Sequence, residues 1–222
     1  MLDELYILPI LLFSVVIHET AHGWMALKLG DTTARDMGRL TLNPIPHIDL
    51  VGSIIVPLMS IVAAGRVFIA WAKPVPVNPA NFSNVRRDDI LVSVVGPISN
   101  FVLAFLCTIV VIVLLKIDSS VEISNEIVHD GLTYLLKMFA GGITMNIVLA
   151  VFNMLPVPPL DGSHVVASLL PADLSMKYRK IGFAGIFVII LLMRWDPFSN
   201  AFSEVIRTLS SPFQLLIDLF AH

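Results

Sequence analysis

Val16-Ile17-His18-Glu19-Thr20-Ala21-His22-Gly23 lies inside an apolar run from Leu5 to about Leu29. His18 and His22 are four residues apart. On a helix that spacing puts both imidazoles on one face, about 6 Å apart along the axis. Two such rings can close on one tetrahedral metal ion, and zinc is the usual occupant. Glu19 follows the first histidine, where a carboxylate can take a proton from water activated at the metal. In a soluble helix such a string is often accidental. Here the setting argues otherwise, because an ionisable side chain costs about 2.5–3.5 kcal/mol or more at mid-bilayer unless it is paired or ligated.

The rest of the composition agrees with a membrane setting. The 222 residues are 56% hydrophobic and 14% charged, with a mean hydropathy of +0.86, which describes a polytopic membrane protein rather than a soluble core. A net charge of −3 gives no reason to expect nucleic acid as a partner. Cys107 is the single cysteine, so an intrachain disulfide and a cysteine-rich zinc site are both excluded, and its apolar surroundings suit packing. The N-terminus carries Asp3 and Glu4 instead of a basic segment, so no cleavable signal peptide is expected.

Working outward, Gly30-Asp31 ends the first span. Gly38 to Asn43 alternates in a strand-like way, and Pro44 and Pro46 forbid a regular helix before His47-Ile48-Asp49. Leu50 to Ala64 is apolar but only 15 residues long, shorter than the roughly 20 a span needs. Lys73-Pro74-Val75-Pro76-Val77-Asn78-Pro79 is extended. Ile90–Leu115 and Leu132–Leu155 read as spans, and Ile181–Met193 with its flanks as the last. From Asn200 onward a helical stripe of Phe202, Val205, Ile206, Leu209, Phe213, Leu216, Ile217 and Phe220 reads as an interfacial helix. The expected fold is all-α and polytopic: about four transmembrane helices, a re-entrant or short-strand region over about 38–79, and the C-terminal interfacial helix, in one membrane-embedded domain over 1–222.

Basic residues decide whether 50–70 crosses. If it does not, Lys28, Arg35, Arg39, Lys73, Arg86, Arg87, Lys177, Arg179 and Lys180 share one side, against Lys116, Lys137 and Arg194. If it crosses, the asymmetry vanishes. The positive-inside rule favours a re-entrant segment, with the basic side cytoplasmic. The first span and the span before Asp161 then run in the same direction, and Asp161 can meet the histidines.

A catalytic zinc site needs three protein ligands and an open position. Asp161 is the best third candidate, in a broken stretch of the kind tolerated at membrane depth where it lines a cavity. By pattern alone Pro158-Pro159-Leu160-Asp161-Gly162 reads equally well as an ordinary exit turn.

His18-Glu19-Thr20-Ala21-His22, Gly96-Pro97-Ile98-Ser99-Asn100 and Asn153-Met154-Leu155-Pro156-Val157-Pro158-Pro159-Leu160-Asp161-Gly162 occur in the order seen in the site-2 protease family of intramembrane zinc metalloproteases. The match spans roughly residues 10–170. Asn43…His47-Ile48-Asp49 and the 73–79 segment also resemble its compact bacterial branch, which lacks a PDZ domain. The resemblance implies His18, His22 and Asp161 as ligands of one zinc ion and Glu19 as general base. By family position it also implies Asn153 as an oxyanion donor and, more weakly, Asn100 as a holder of substrate backbone. Without a family role, both asparagines read as interhelical hydrogen bonders. His47 beside Asp49, and His164 three residues beyond Asp161, read as supporting or gating groups. His129 and His222 read as loop and tail residues.

Family membership implies hydrolysis of a peptide bond in or near a transmembrane segment of a membrane-protein substrate. It also implies a bacterial inner-membrane location and a site open to the cytoplasm. Homo-oligomerisation is left open. The 38–43 and 73–79 segments can clamp an unwound substrate as an added strand. One departure is that the metal motif lies in the first span, where several members place another span before it; the separation between motifs is also long, so the substrate gate is expected to differ. The alternatives are a metal-binding membrane transporter, since intramembrane histidines and aspartates also line ion paths, and an inactive relative that only binds membrane segments.

Overall fold

The computed structural model describes residues 6–49, 52, 55, 72–120 and 125–221. The question of whether 50–70 crosses or re-enters falls almost wholly outside them. The described residues form helices α1 (Leu8–Lys28), α2 (Thr33–Asp36), α3 (Val85–Ser120), α4 (Glu126–Asn153), α5 (Asp161–Leu169), α6 (Ala172–Arg179), α7 (Gly185–Arg194) and α8 (Asp196–Phe220), with short 3₁₀ turns between some of them. Among the described residues three helices, α1, α3 and α4, are long and apolar enough to cross a membrane.

Local chemistry sets these limits. Pro9 falls in the first turn of α1, where a missing N–H is tolerated. The helix ends at Gly30, whose φ of +105° suits glycine, and Asp31 N–H closes back on Ala26 O at 2.9 Å. At the start of α3, Asn84 Oδ1 accepts from Arg87 N–H while Asp88 Oδ2 accepts from Asn84 N–H, a reciprocal cap. With 36 residues α3 is about 54 Å long, well beyond the roughly 30 Å thickness of a hydrocarbon layer. Asn125 caps α4.

The core sits where α1, α3 and α4 meet. Ile10, Ala104, Cys107, Val111, Ile143 and Ile147 pack together there, and the buried thiol has the packing role expected of it. Gly142 allows the close approach of α1, since a Cβ at this position would stand 2.8 Å from Ile10 Cγ1. Small residues at such crossings are how membrane helices come together.

The C-terminal stripe is also used. Ile206, Leu209, Phe213 and Ile217 of α8 pack against this core, across α3 and α4. The last expected span is modified. Gly182–Arg194 is too short to cross alone, and it meets the length and hydropathy of a span only together with α8, from which it is bent by 88°.

The strand-like segments do not pair as strands among the described residues. Pro74, Pro76 and Pro79 have no N–H to give a ladder. The neighbouring N–H groups go elsewhere: Val75 N–H to Glu19 Oε2 at 2.8 Å and Asn78 N–H to Asp31 Oδ2 at 2.7 Å. Arg39 Nη2 and the His47 carbonyl bond the backbone of Lys73 from the other side. The 73–79 segment is thus a strap tied by two carboxylates, Glu19 at the middle of α1 and Asp31 in the turn after it.

Asp31 is the main knot. Besides Asn78 N–H, it accepts from Thr33 and from Asn81 Nδ2 at 2.7 Å. Burial alone would push its carboxyl up, but these donors outweigh it and hold the group below the usual carboxylate range. The folded value therefore lies below the unfolded value of about 3.9. The carboxylate adds stability above that unfolded value and loses it as pH falls through the folded one. Asp31→Asn is expected to lower the unfolding temperature in detergent at pH 7, with the gap narrowing as the pH is taken through the wild-type folded value. Equal unfolding temperatures at pH 7 would show that the strap is held by other contacts.

Candidate metal centre

His18 lies ten residues from either end of α1, at the middle of a helix about 31 Å long. His22 is one turn further on, the two rings edge to face with centroids 4.7 Å apart. The chain leaves α4 at Asn153, passes Pro156, Pro158 and Pro159, and re-enters helix at Asp161, the first residue of α5. Packing of α5 against α3 brings Asp161 to the histidines. Its Oδ2 stands 3.1 Å from His18 Nε2 and 3.3 Å from His22 Nε2, and the two Nε2 atoms are 3.1 Å apart.

The protons can be placed from the partners. His22 Nδ1 is 2.6 Å from Val92 O, and a carbonyl only accepts, so Nδ1 carries the hydrogen. His18 Nδ1 is 2.6 Å from Asn100 Oδ1, whose own Nδ2 donates to Asn146 Oδ1 at 2.9 Å. With the rings neutral, as a metal ligand must be, each aims an Nε2 lone pair at the same point as a carboxylate oxygen. Asp161 Oδ2 is buried and has no hydrogen-bond donor among the described residues. Three mutually repelling acceptors at about 3 Å make sense around a cation, and two imidazoles with one carboxylate are a donor set that suits zinc. The same three residues form the one His/Cys/Asp/Glu group among the described residues with ligand atoms close enough to hold a metal ion.

A cleft of about 460 Å³ opens on this point, lined by His18, Glu19, His22 and Asp161 and further out by Val75, Asn153 and His164. Glu19 faces it with one carboxylate oxygen held by Val75 N–H. Asn153 is on the wall, its Nδ2 turned back to Leu149 O at 2.9 Å.

Asn100 is not on that wall. It is fully buried, with both ends of its amide used between His18 and Asn146, which puts it behind His18. His47 is also away from the cleft. It is buried in the loop after α2, donates from Nε2 to Thr41 O at 3.0 Å, and gives its carbonyl to Lys73 N–H. That makes it a post for the strap. His164 lines the outer cleft. Its Nδ1 accepts from Arg179 Nη1 at 3.1 Å and lies 3.4 Å from Asp89 Oδ1, while Arg179 Nη2 and Ser168 Oγ both bond Asp89 Oδ2.

Asn146 and Asp89 are the contributors that sequence reasoning missed. In the sequence Asn146 is only a polar residue in an apolar run, and Asp89 only the last of the charged run Arg86-Arg87-Asp88-Asp89. Gly96 has a steric role as well. A Cβ there would lie 2.5 Å from His22 Cε1 and 2.7 Å from His18 Cε1.

The description of peptidase family M50 matches residues 6–193 of this chain. Over 220 residues, 96% of this chain and 94% of the other, it is 34% identical to a Bacillus subtilis protein named "Putative zinc metalloprotease YwhC". Over 196 residues, 88% of this chain and 69% of the other, it is 25% identical to "Putative zinc metalloprotease Rip2" of Mycolicibacterium smegmatis. No solved structure matches it significantly.

Gly96→Ala is expected to push the two imidazoles out of register and weaken divalent-metal affinity by about tenfold or more, with helix content by circular dichroism unchanged. Unaltered affinity would show that the rings have room to move.

Proposed function

The chain belongs to peptidase family M50, and on that premise we propose that it is an intramembrane zinc endopeptidase. In this reading His18, His22 and Asp161 hold one zinc ion per chain, and Glu19 is the general base. The observation that carries it is the convergence of two Nε2 lone pairs and one carboxylate oxygen at the middle of a helix that is itself of membrane-spanning length.

Bound zinc at such a site supplies Lewis acidity, which acidifies water and polarises a carbonyl. The chain's own residues supply the rest. Glu19 takes the proton of the attacking water and passes it to the leaving nitrogen. Its bond from Val75 N–H fixes one carboxylate oxygen and leaves the other for this traffic. Asn153, on the cleft wall, turns its amide from Leu149 O to donate to the oxyanion.

The substrate is a transmembrane segment of another protein. The peptide bond has to arrive at mid-depth of α1, where an extended polypeptide from water would have to cross about 15 Å of apolar surroundings. Such a segment must unwind locally to present one bond. The extended strap offers Pro74, Val75 and Val77 as a cleft wall along which an unwound segment can lie. The basic-residue asymmetry supports a cleft whose strap end faces the cytoplasmic side of a bacterial inner membrane.

Detergent-purified wild type is expected to hold about one zinc per chain, and Asp161→Ala much less. Glu19→Gln should keep its zinc and lose essentially all release of fragments from membrane-anchored reporter segments. Stoichiometric zinc in Asp161→Ala would remove Asp161 from the ligand set. Cleavage surviving in Glu19→Gln would remove Glu19 as the base.

A further inference from the structure

We propose that Asn146 is a positioning residue for the metal centre: through Asn100, it fixes the tautomer in which His18 can act as a ligand. Asn100 and Asn146 are both fully buried, on α3 and α4, and neither touches the cleft.

The argument is one of hydrogen-bond polarity. Asn146 Nδ2 lies 2.9 Å from the backbone carbonyl of Gly142. A carbonyl has no proton to give, so the NH₂ end of the Asn146 amide must face it. That leaves Asn146 Oδ1 facing Asn100, 2.9 Å from Asn100 Nδ2. Asn100 must then present its NH₂ to Asn146 and its Oδ1 to His18, 2.6 Å from Nδ1. An amide oxygen facing Nδ1 requires a hydrogen there, and the neutral ring then has its lone pair on Nε2, the atom aimed at Asp161. The direction of every proton is set by the first link, a main-chain carbonyl that cannot reverse. His22 needs no such relay, because its Nδ1 meets the carbonyl of Val92 directly.

Without Asn146, nothing distinguishes the two orientations of the Asn100 amide. The flipped one turns NH₂ toward His18 Nδ1, puts the ring hydrogen on Nε2, and blocks the ligand position. A carboxylate in place of Asn100 behaves differently. Ionised, it has no donating end, so it accepts from Nδ1 whichever way it rotates.

The consequence for zinc rests on the zinc reading of the site; the tautomer itself does not. The test compares wild type, Asn146→Leu, and the double variant Asn146→Leu/Asn100→Asp, each as the full-length chain in detergent. Zinc affinity is measured by competition with a chelator. In the zinc-free proteins the ¹⁵N shifts of His18 are read from histidine-labelled samples and identified by their loss in His18→Ala. Asn146→Leu is expected to bind zinc about 10–100-fold more weakly and to show Nε2-protonated His18. The double variant should regain most of the affinity and the Nδ1-protonated form. Packing lost at Asn146 would not be repaired by exchanging the Asn100 amide for a carboxylate of the same size, so failure of the double variant to recover overturns the proposal. Wild-type affinity in Asn146→Leu overturns it as well. Absence of zinc binding by wild type would sink the zinc reading instead, and the ¹⁵N spectrum would then decide the relay, with Nε2-protonated His18 in wild type counting against it.

Discussion

Two imidazole lone pairs and a carboxylate oxygen held within about 3 Å of one another are the constraint on which the rest of the molecule depends. Among the described residues no hydrogen-bond donor reaches Asp161 Oδ2. An uncompensated buried charge costs several kcal/mol, comparable with the net stability of many domains. A cation at its centre relieves the repulsion, and several features of the scaffold hold the arrangement in place. Gly96 clears the space beside both rings. Val92 O and Asn100 orient them. The break between α4 and α5 returns the chain to deliver Asp161.

Delivery of Asp161 depends on tertiary contacts that lie away from the metal. Helix α5 is only nine residues long and could not hold a fixed position alone. Its far end is fastened by Ser168 and by Arg179 of α6, both converging on buried Asp89 of α3, with His164 alongside. This polar clamp ties the helix that begins with Asp161 to the helix that carries Val92, Gly96 and Asn100. The relative placement of the third acceptor and the two rings is therefore set largely through α3.

The strap from 72 to 79 is the other connection between chemistry and scaffold. Prolines keep it extended and remove several donors, and its N–H groups at Val75 and Asn78 reach carboxylates of α1 and the turn after it. One of these carboxylates is Glu19, facing the cleft, and the other is Asp31, a structural knot. A single extended segment thus forms a wall of the cleft, orients the candidate base and fastens the end of the helix that bears both histidines.

Much of this was legible in the chain itself. The hydropathy runs located α1, α3 and α4, because a membrane span has to be long, apolar and internally hydrogen-bonded. The four-residue spacing of His18 and His22 placed both rings on one face, because 3.6 residues make a turn. The apolar stripe of α8 showed which face would pack. What no spacing could show is that Asp161 closes the triad, since 138 residues lie between it and His22 and pattern alone left ligand and exit turn as equal readings. The same holds for Asn100 lying behind His18, for His47 bonding the strap, and for the contacts of Asn146 and Asp89. Periodicity fixes the face of an element by local geometry. Which polar groups on different helices meet is decided by how those helices pack, because a buried amide or carboxylate takes its role from the partner that satisfies it.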